Sequence, residues 1–215
     1  MKVMALGSCR VYCPLLGMPN VIFYTGGTVH YSGQIIQAFD IMSKNIDIPK
    51  DIEKKVFKGW SKKKNKKYDI SKIDKFVIEI SSLKKFYLNN SKILLNIDYF
   101  ENKKNISGVN ISKESKAEFF YNMDEINKAI NNRPVLFVSH NNIPHLKNRK
   151  LIIKYLLEWC GDNKRNFIDP TILINKYKVK KCFVNNDNND YNHYSLFFRK
   201  KMKRYIRGFL KNIDS

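Results

Sequence analysis

Two potential nucleophiles stand side by side near the amino terminus: Ser8 and Cys9, between a glycine and an arginine in "LGSCR" (6–10). Near the other end, "NDNNDYNHYS" (186–195) carries Asp190 and His193 at D-x-x-H spacing. A hydroxyl or thiol nucleophile needs a base to take its proton, and the base needs an orienting group. A turn at 190–193 lets a carboxylate and an imidazole address one another, so Cys9 or Ser8, His193 and Asp190 make up a set for acyl transfer. Asp187, in the same loop, competes with Asp190 for the orienting role. Glycine before Cys9 and arginine after it describe a bend rather than a core position. A helix starting just after the bend would aim amide N–H groups at the nucleophile, lowering a thiol pKa and holding an oxyanion at Ser8–Arg10. Ser8 has a second reading, as the cap of that helix.

The elements that must position these residues are apolar runs of strand length alternating with helical periods. Strands are expected at 2–6 ("KVMAL"), 20–24 ("NVIFY"), 75–81 ("KFVIEIS"), 133–141 ("RPVLFVSHN") and 166–170 ("NFIDP"). Helices are expected at 34–42, 116–130, 149–160 (closed by Gly161) and 193–210, where apolar residues recur at helical spacing. Such alternation implies a parallel sheet covered on both faces, a three-layer α/β sandwich. Ligands of such sheets gather beyond the carboxyl ends of the strands. That edge adds candidates for substrate or oxyanion contact: Arg10 after the first strand, Ser81 after the third, His140 and Asn141 after the fourth, and His30 ahead of the first long helix. The Lys-rich stretch 43–74 reads as an exposed basic insert, and 89–115 as a hairpin or a lid. The terminal helix 193–210 interleaves "LFF", "M", "YI" and "FL" with basic residues. It either closes the sheet with its apolar stripe or lies on an anionic membrane surface.

Gly7-Ser8-Cys9 and Asp190-Tyr191-Asn192-His193 together resemble the first and last blocks of the SGNH/GDSL hydrolase superfamily. That superfamily has a flavodoxin-like sheet, a Gly-Asp-Ser nucleophile turn and an Asp-x-x-His block ahead of its final helix. Here serine takes the aspartate position and cysteine the nucleophile position. The Gly-Ser-Cys turn is similar to the GSCFA-type branch and to capsular-polysaccharide acetyltransferases. "HYSGQIIQAF" (30–39) and "FVIEISSLKKFY" (76–87) look like further pieces of these bacterial surface-sugar proteins. The resemblance implies O-acetyl transfer to, or removal from, a sugar or polysaccharide. Cys9 or Ser8 would be the nucleophile, His193 the base and Asp190 its orienter. The superfamily's Gly-x-Asn-Asp block has no counterpart in "EISSLK", which leaves Ser81, Ser82, Asn141 or backbone amides as the oxyanion donor.

At 215 residues with 43 % apolar side chains, the chain is long and apolar enough for one well-buried domain spanning 1–215, and 14 Phe and 12 Tyr argue against disorder. Forty Lys+Arg against 19 Asp+Glu give a net charge of +21. Such a field attracts phosphates, nucleic acid or anionic lipid. The joint abundance of Lys, Asn and Ile fits AT-rich coding equally well. The second class of function is therefore a catalytically inactive SGNH-like basic module that binds nucleic acid or an anionic glycan. Acetyl-coenzyme A suits the positive field as acyl donor, and no other cofactor is required. Cysteines at 9, 13, 160 and 182 offer no zinc pattern and no disulfide framework, which fits a reducing, cytoplasmic setting. Histidines at 30, 140, 145 and 193 lack ligand spacing, so no metal is expected. The apolar stretch before Cys9 is shorter than the roughly 7–15 residues of an export signal. No run approaches the ~20 residues of a membrane span.

Overall fold

The computed structural model describes residues 1–24, 27–43, 45–57, 68–89, 91–96, 108–143, 149–185 and 190–212. The chain runs β1 (Val3–Leu6), α1 (Cys9–Leu15), β2 (Val21–Phe23), α2 (Ser32–Ser43), α3 (Glu53–Val56), β3 (Lys75–Ile80), β4 (Lys84–Leu88) and β5 (Val109–Lys113). It continues through α4 (Lys116–Ala129), β6 (Val135–Ser139), α5 (Lys150–Asp162), β7 (Asn166–Ile168), α6 (Pro170–Tyr177), α7 (Val179–Cys182), β8 (Phe183–Asn185), β9 (Asp190–Tyr194) and α8 (Leu196–Asn212). Five strands form one parallel sheet in the order β2-β1-β3-β6-β7, the flavodoxin-like three-layer sandwich expected from the alternating pattern. The strand order reverses beside β1 and β3, and their carboxyl ends open the crevice where such folds bind ligands.

Alternation along the strands builds two cores. Met4, Leu6, Phe76, Ile78, Ile80 and Phe137 face α2, α4 and α5. Val3, Ala5, Val77, Leu136 and Val138 face α1, α6 and α8. Residues two apart share a face, so Lys75 and Glu79 lie on the Val77 side, at opposite ends of β3, and both are buried. The Lys75 ammonium donates to the Leu210 carbonyl at 2.7 Å, closing the carboxyl end of α8. Glu79 lies at the other end, where the register Leu6↔Ile78 brings Gly7 beside it.

Several boundaries differ from the sequence reading. Residues 193 and 194 belong to β9, not to the terminal helix. Tyr194 pairs with Phe183 and packs edge-on against Phe198 at 4.7 Å. The Ser195 hydroxyl accepts from the Phe198 amide, so α8 begins at Leu196 behind a serine cap. Helix α5 runs through Gly161 to Asp162. The stretch 43–74 is not wholly an exposed insert: Ile52, Val56 and Phe57 pack with Phe86 and Leu95 in a third small core. Its Lys-rich centre, 58–67, lies outside the described residues. Within 89–115, Val109–Lys113 pairs antiparallel with Lys84–Leu88, while 97–107 lie outside the described residues. Helix α8 buries Phe198, Met202, Ile206 and Leu210 against the sheet, which is the closing role rather than a free amphipathic face. Among the described residues no helix is long and apolar enough to cross a membrane.

Candidate active site

The bend between β1 and α1 is held from the neighbouring strand. One Glu79 carboxylate oxygen accepts both the Ser8 amide at 2.8 Å and the Ser8 hydroxyl at 2.6 Å. The other oxygen accepts the Arg10 Nε at 2.7 Å. The Ser8 hydroxyl in turn accepts the Arg10 amide at 3.3 Å and caps α1. Across the bend, the Gly7 carbonyl accepts the Val29 amide at 3.0 Å. Gly7 is required by proximity: a Cβ there would lie 2.6 Å from the Glu79 Cβ. Glu79 is fully buried, and burial alone would raise its pKa. The Arg10 guanidinium and the Ser8 hydroxyl and amide outweigh that and hold the carboxyl below its usual range. Burial likewise opposes the charge of Arg10, and Glu79 outweighs it.

These contacts separate the two candidate nucleophiles. Ser8 is 3 % exposed, with its proton committed to a carboxylate and its lone pair to a cap. Cys9 follows it, half-buried. Burial pushes the Cys9 thiol above its ordinary pKa, and Arg10 opposes that; Glu79 and Cys13 push further up, while Arg199 of α8 opposes. Cys9 is therefore a protonated thiol at neutral pH, and attack needs a base. The expected oxyanion amides shrink as well. The Ser8 N–H goes to Glu79 and the Arg10 N–H to Ser8, so of the three only the Cys9 amide remains among the described residues. Arg10, expected to meet substrate, is buried and turns its Nε to Glu79 instead.

At the end of β6, Ser139, His140 and Asn141 are all buried. The Asn142 amide donates to the Thr171 hydroxyl at 2.8 Å, anchoring this loop to α6. His140 Nδ1 lies 2.9 Å from the Asn141 carbonyl. A carbonyl only accepts, so Nδ1 carries the proton and Nε2 keeps a lone pair, which meets no partner among the described residues. Burial first, then Arg10 and Arg149, hold the His140 pKa well below its ordinary value, so the ring is neutral. The Ser139 hydroxyl also lacks a partner among the described residues. His30 is tied down: its Nδ1 lies 3.1 Å from the Ser81 hydroxyl, and its carbonyl accepts the Ser81 and Ser82 amides at 2.7 and 2.9 Å. The Arg149 guanidinium donates to the Ser81 carbonyl. Ser81 thus fastens the loop ahead of α2 to β3, and this engagement counts against an oxyanion role.

The carboxyl-terminal candidates differ from the sequence expectation in local geometry. The D-x-x-H stretch is strand β9 rather than a turn. His193 is exposed on that strand, whereas the next residue, Tyr194, is buried beside Arg10, Glu79 and Cys9. The side chain of Asp190 lies outside the described residues, as do Asp187 and His145. Among the described residues no three of His, Cys, Asp and Glu gather into a metal-ligand set.

Sequence reasoning missed Glu79 and Tyr194. A signal for Glu79 was present: "KFVIEI" is a fully buried parallel strand, and an acid inside one requires a partner.

Residues 1–129 match the family model described as the TviD N-terminal domain. That span holds the Gly7–Arg10 bend and Glu79 but ends before β6, β9 and α8. The crystal structure of protein YXIM from Bacillus subtilis is similar in fold, with a TM-score of 0.51 and 13 % identity. The match covers 99 % of this chain and 56 % of that one, so the chain spans about half the length of that protein. No protein with a curated description matches.

Proposed function

The chain belongs to the TviD N-terminal domain family, and from that premise we propose that it transfers an acyl group, most simply acetyl, to or from a hydroxyl of a sugar or polysaccharide, with Cys9 as the nucleophile. The observation that carries this reading is the division of labour at the bend. Ser8 is engaged by Glu79 and the helix cap, and the residue left partly open at the crevice edge is a thiol. In this reading Cys9 Sγ attacks the acyl carbon and its proton passes to an imidazole. The ester C–O or thioester C–S bond breaks, the leaving group takes the proton, and a thioester forms on Cys9. A sugar hydroxyl or water then attacks the thioester and releases the thiol. His193 is the proposed base, with Asp190 as its orienter. His140, neutral and with a buried Nε2 lone pair that meets no partner among the described residues, is the proposed acceptor of a hydrogen bond from the sugar hydroxyl. Acetyl-coenzyme A is the proposed donor for the transfer direction.

The test is release of coenzyme A from acetyl-coenzyme A, or hydrolysis of p-nitrophenyl acetate, by wild type, Cys9→Ala and His193→Ala. The reading expects both variants to lose turnover. Wild-type rates in both reject it.

A second reading, an inactive basic module for nucleic acid or an anionic glycan, is favoured by α8. Its 17 residues carry seven Lys and Arg and no acid. Binding that weakens steeply with added salt, together with no turnover, supports that reading instead.

A further inference from the structure

The carboxylate of Glu79 belongs to no step of the proposed chemistry, yet three donors of the bend converge on it. We propose that Glu79 is a positioning residue for Cys9: it fixes the bend that presents the thiol and neutralises the guanidinium beside it. The proposal rests on the acyl-transfer reading only in taking Cys9 as the nucleophile.

The bend does not hold itself. Its amide, hydroxyl and guanidine donors reach across 69 to 71 residues of sequence to one side chain on β3. An apolar residue at position 79 would leave all three without that acceptor inside the protein. The seat is closed on its remaining side by Gly7, where a methyl group would collide with Glu79. Among the described residues, charged or titratable neighbours of the Cys9 thiol come from every element packed around the bend: Arg10 and Cys13 on α1, Glu79 on β3, Tyr194 on β9 and Arg199 on α8. Arg10 and Arg199 favour the thiolate, and Glu79 opposes them. The ion pair therefore shapes the bend without ionising the thiol. Ionisation is left to the base, at the moment the substrate is present.

The experiment is alkylation of Cys9 by iodoacetamide as a function of pH, read by peptide mass spectrometry in a Cys13→Ala background. Folding is checked beforehand by circular dichroism. The wild-type midpoint is expected above the free-cysteine value of about 8.5. Glu79→Gln keeps an acceptor for Ser8 but removes the charge, and the midpoint is expected to fall by about one unit or more. Arg10→Met/Glu79→Gln removes both charges and is expected to bring the midpoint back to or above the wild-type value, because Arg10 acts on the thiol more strongly than Glu79 does. A Glu79→Gln midpoint equal to wild type, or equal shifts in the single and double variants, overturns the proposal. If Glu79→Gln alone does not fold, the double variant decides: a midpoint at or above the wild-type value supports the proposal and a free-cysteine midpoint overturns it. Alkylation needs no substrate. Wild-type acyl transfer by Cys9→Ala would reject the acyl-transfer reading while leaving this titration to be judged on its own.

Discussion

Arg10 and Glu79 form a buried ion pair, Nε to Oε1 at 2.7 Å, at the point where β1 turns into α1. Removing one partner of such a pair leaves an uncompensated charge, whereas removing both costs far less. The pair lies one residue from the thiol, so the stability of the bend and the reactivity of Cys9 are linked.

The two adjacent nucleophile candidates are expected to respond differently to truncation. Ser8→Ala loses the cap and the hydroxyl bond to Glu79, a cost of about 1–3 kcal/mol in stability. Acyl transfer should fall by less than about tenfold, because the thiol remains. Cys9→Ala should keep its stability within about 1 kcal/mol and lose turnover. Urea unfolding and steady-state rates on both variants check this. Turnover abolished in Ser8→Ala and kept in Cys9→Ala would reverse the assignment.

Gly7→Ala is expected to destabilise the fold by about 1–3 kcal/mol or more, since the added methyl meets the Glu79 Cβ at 2.6 Å. Gly161→Ala, where a Cβ meets nothing within 4 Å on a helix, should be neutral or stabilising. Equal midpoints for the two in urea unfolding would contradict the close packing of the bend.

Two buried groups give opposite pH dependences. Glu114 accepts the Ser32 hydroxyl, the Gly33 amide and the Asn122 amide on one oxygen, while its other oxygen has no partner among the described residues. Burial pushes its carboxyl up to about 7. The folded state then holds a proton that the unfolded chain releases near 4.3. The stabilisation is complete below that value and is lost as pH rises through about 7, on the order of 2–3 kcal/mol at most. His140 runs the other way. Its neutral form is favoured in the fold, so its contribution is present above about 6.5 and is lost as pH falls below it. Urea unfolding from pH 5 to 8 should show Glu114→Gln removing the loss at the alkaline end and His140→Gln removing the loss at the acid end. Unchanged slopes in both variants would contradict these burial effects.

The parallel strands were readable because each is a short apolar run ending in polar residues, as in "KVMAL" before Gly7 and "RPVLFVSHN". Helices α4 and α5 were readable because their apolar residues recur at helical spacing. Strand β9 was not. "DYNHY" has no apolar alternation, and its place is set by pairing with β8 and by Tyr194 packing between Phe183 and Phe198. The first half of the candidate site followed from Gly7-Ser8-Cys9, a local signal. Its support did not, because Glu79 acts across 71 residues of sequence and a single acid in an apolar strand does not name its partner. His140 was placed at the correct edge by strand order. Its neutrality rests first on burial and then on Arg10 and Arg149, all of which only the fold supplies.

Accumulation of an acyl-enzyme tests the central claim most directly. The protein is mixed with p-nitrophenyl acetate or acetyl-coenzyme A, quenched in acid, and its peptides are weighed. The expected result is one acetyl group on Cys9, removed by hydroxylamine and preceded by a burst of released leaving group. Acetyl on Ser8, or turnover with no acetyl on either residue under single-turnover conditions, would contradict it.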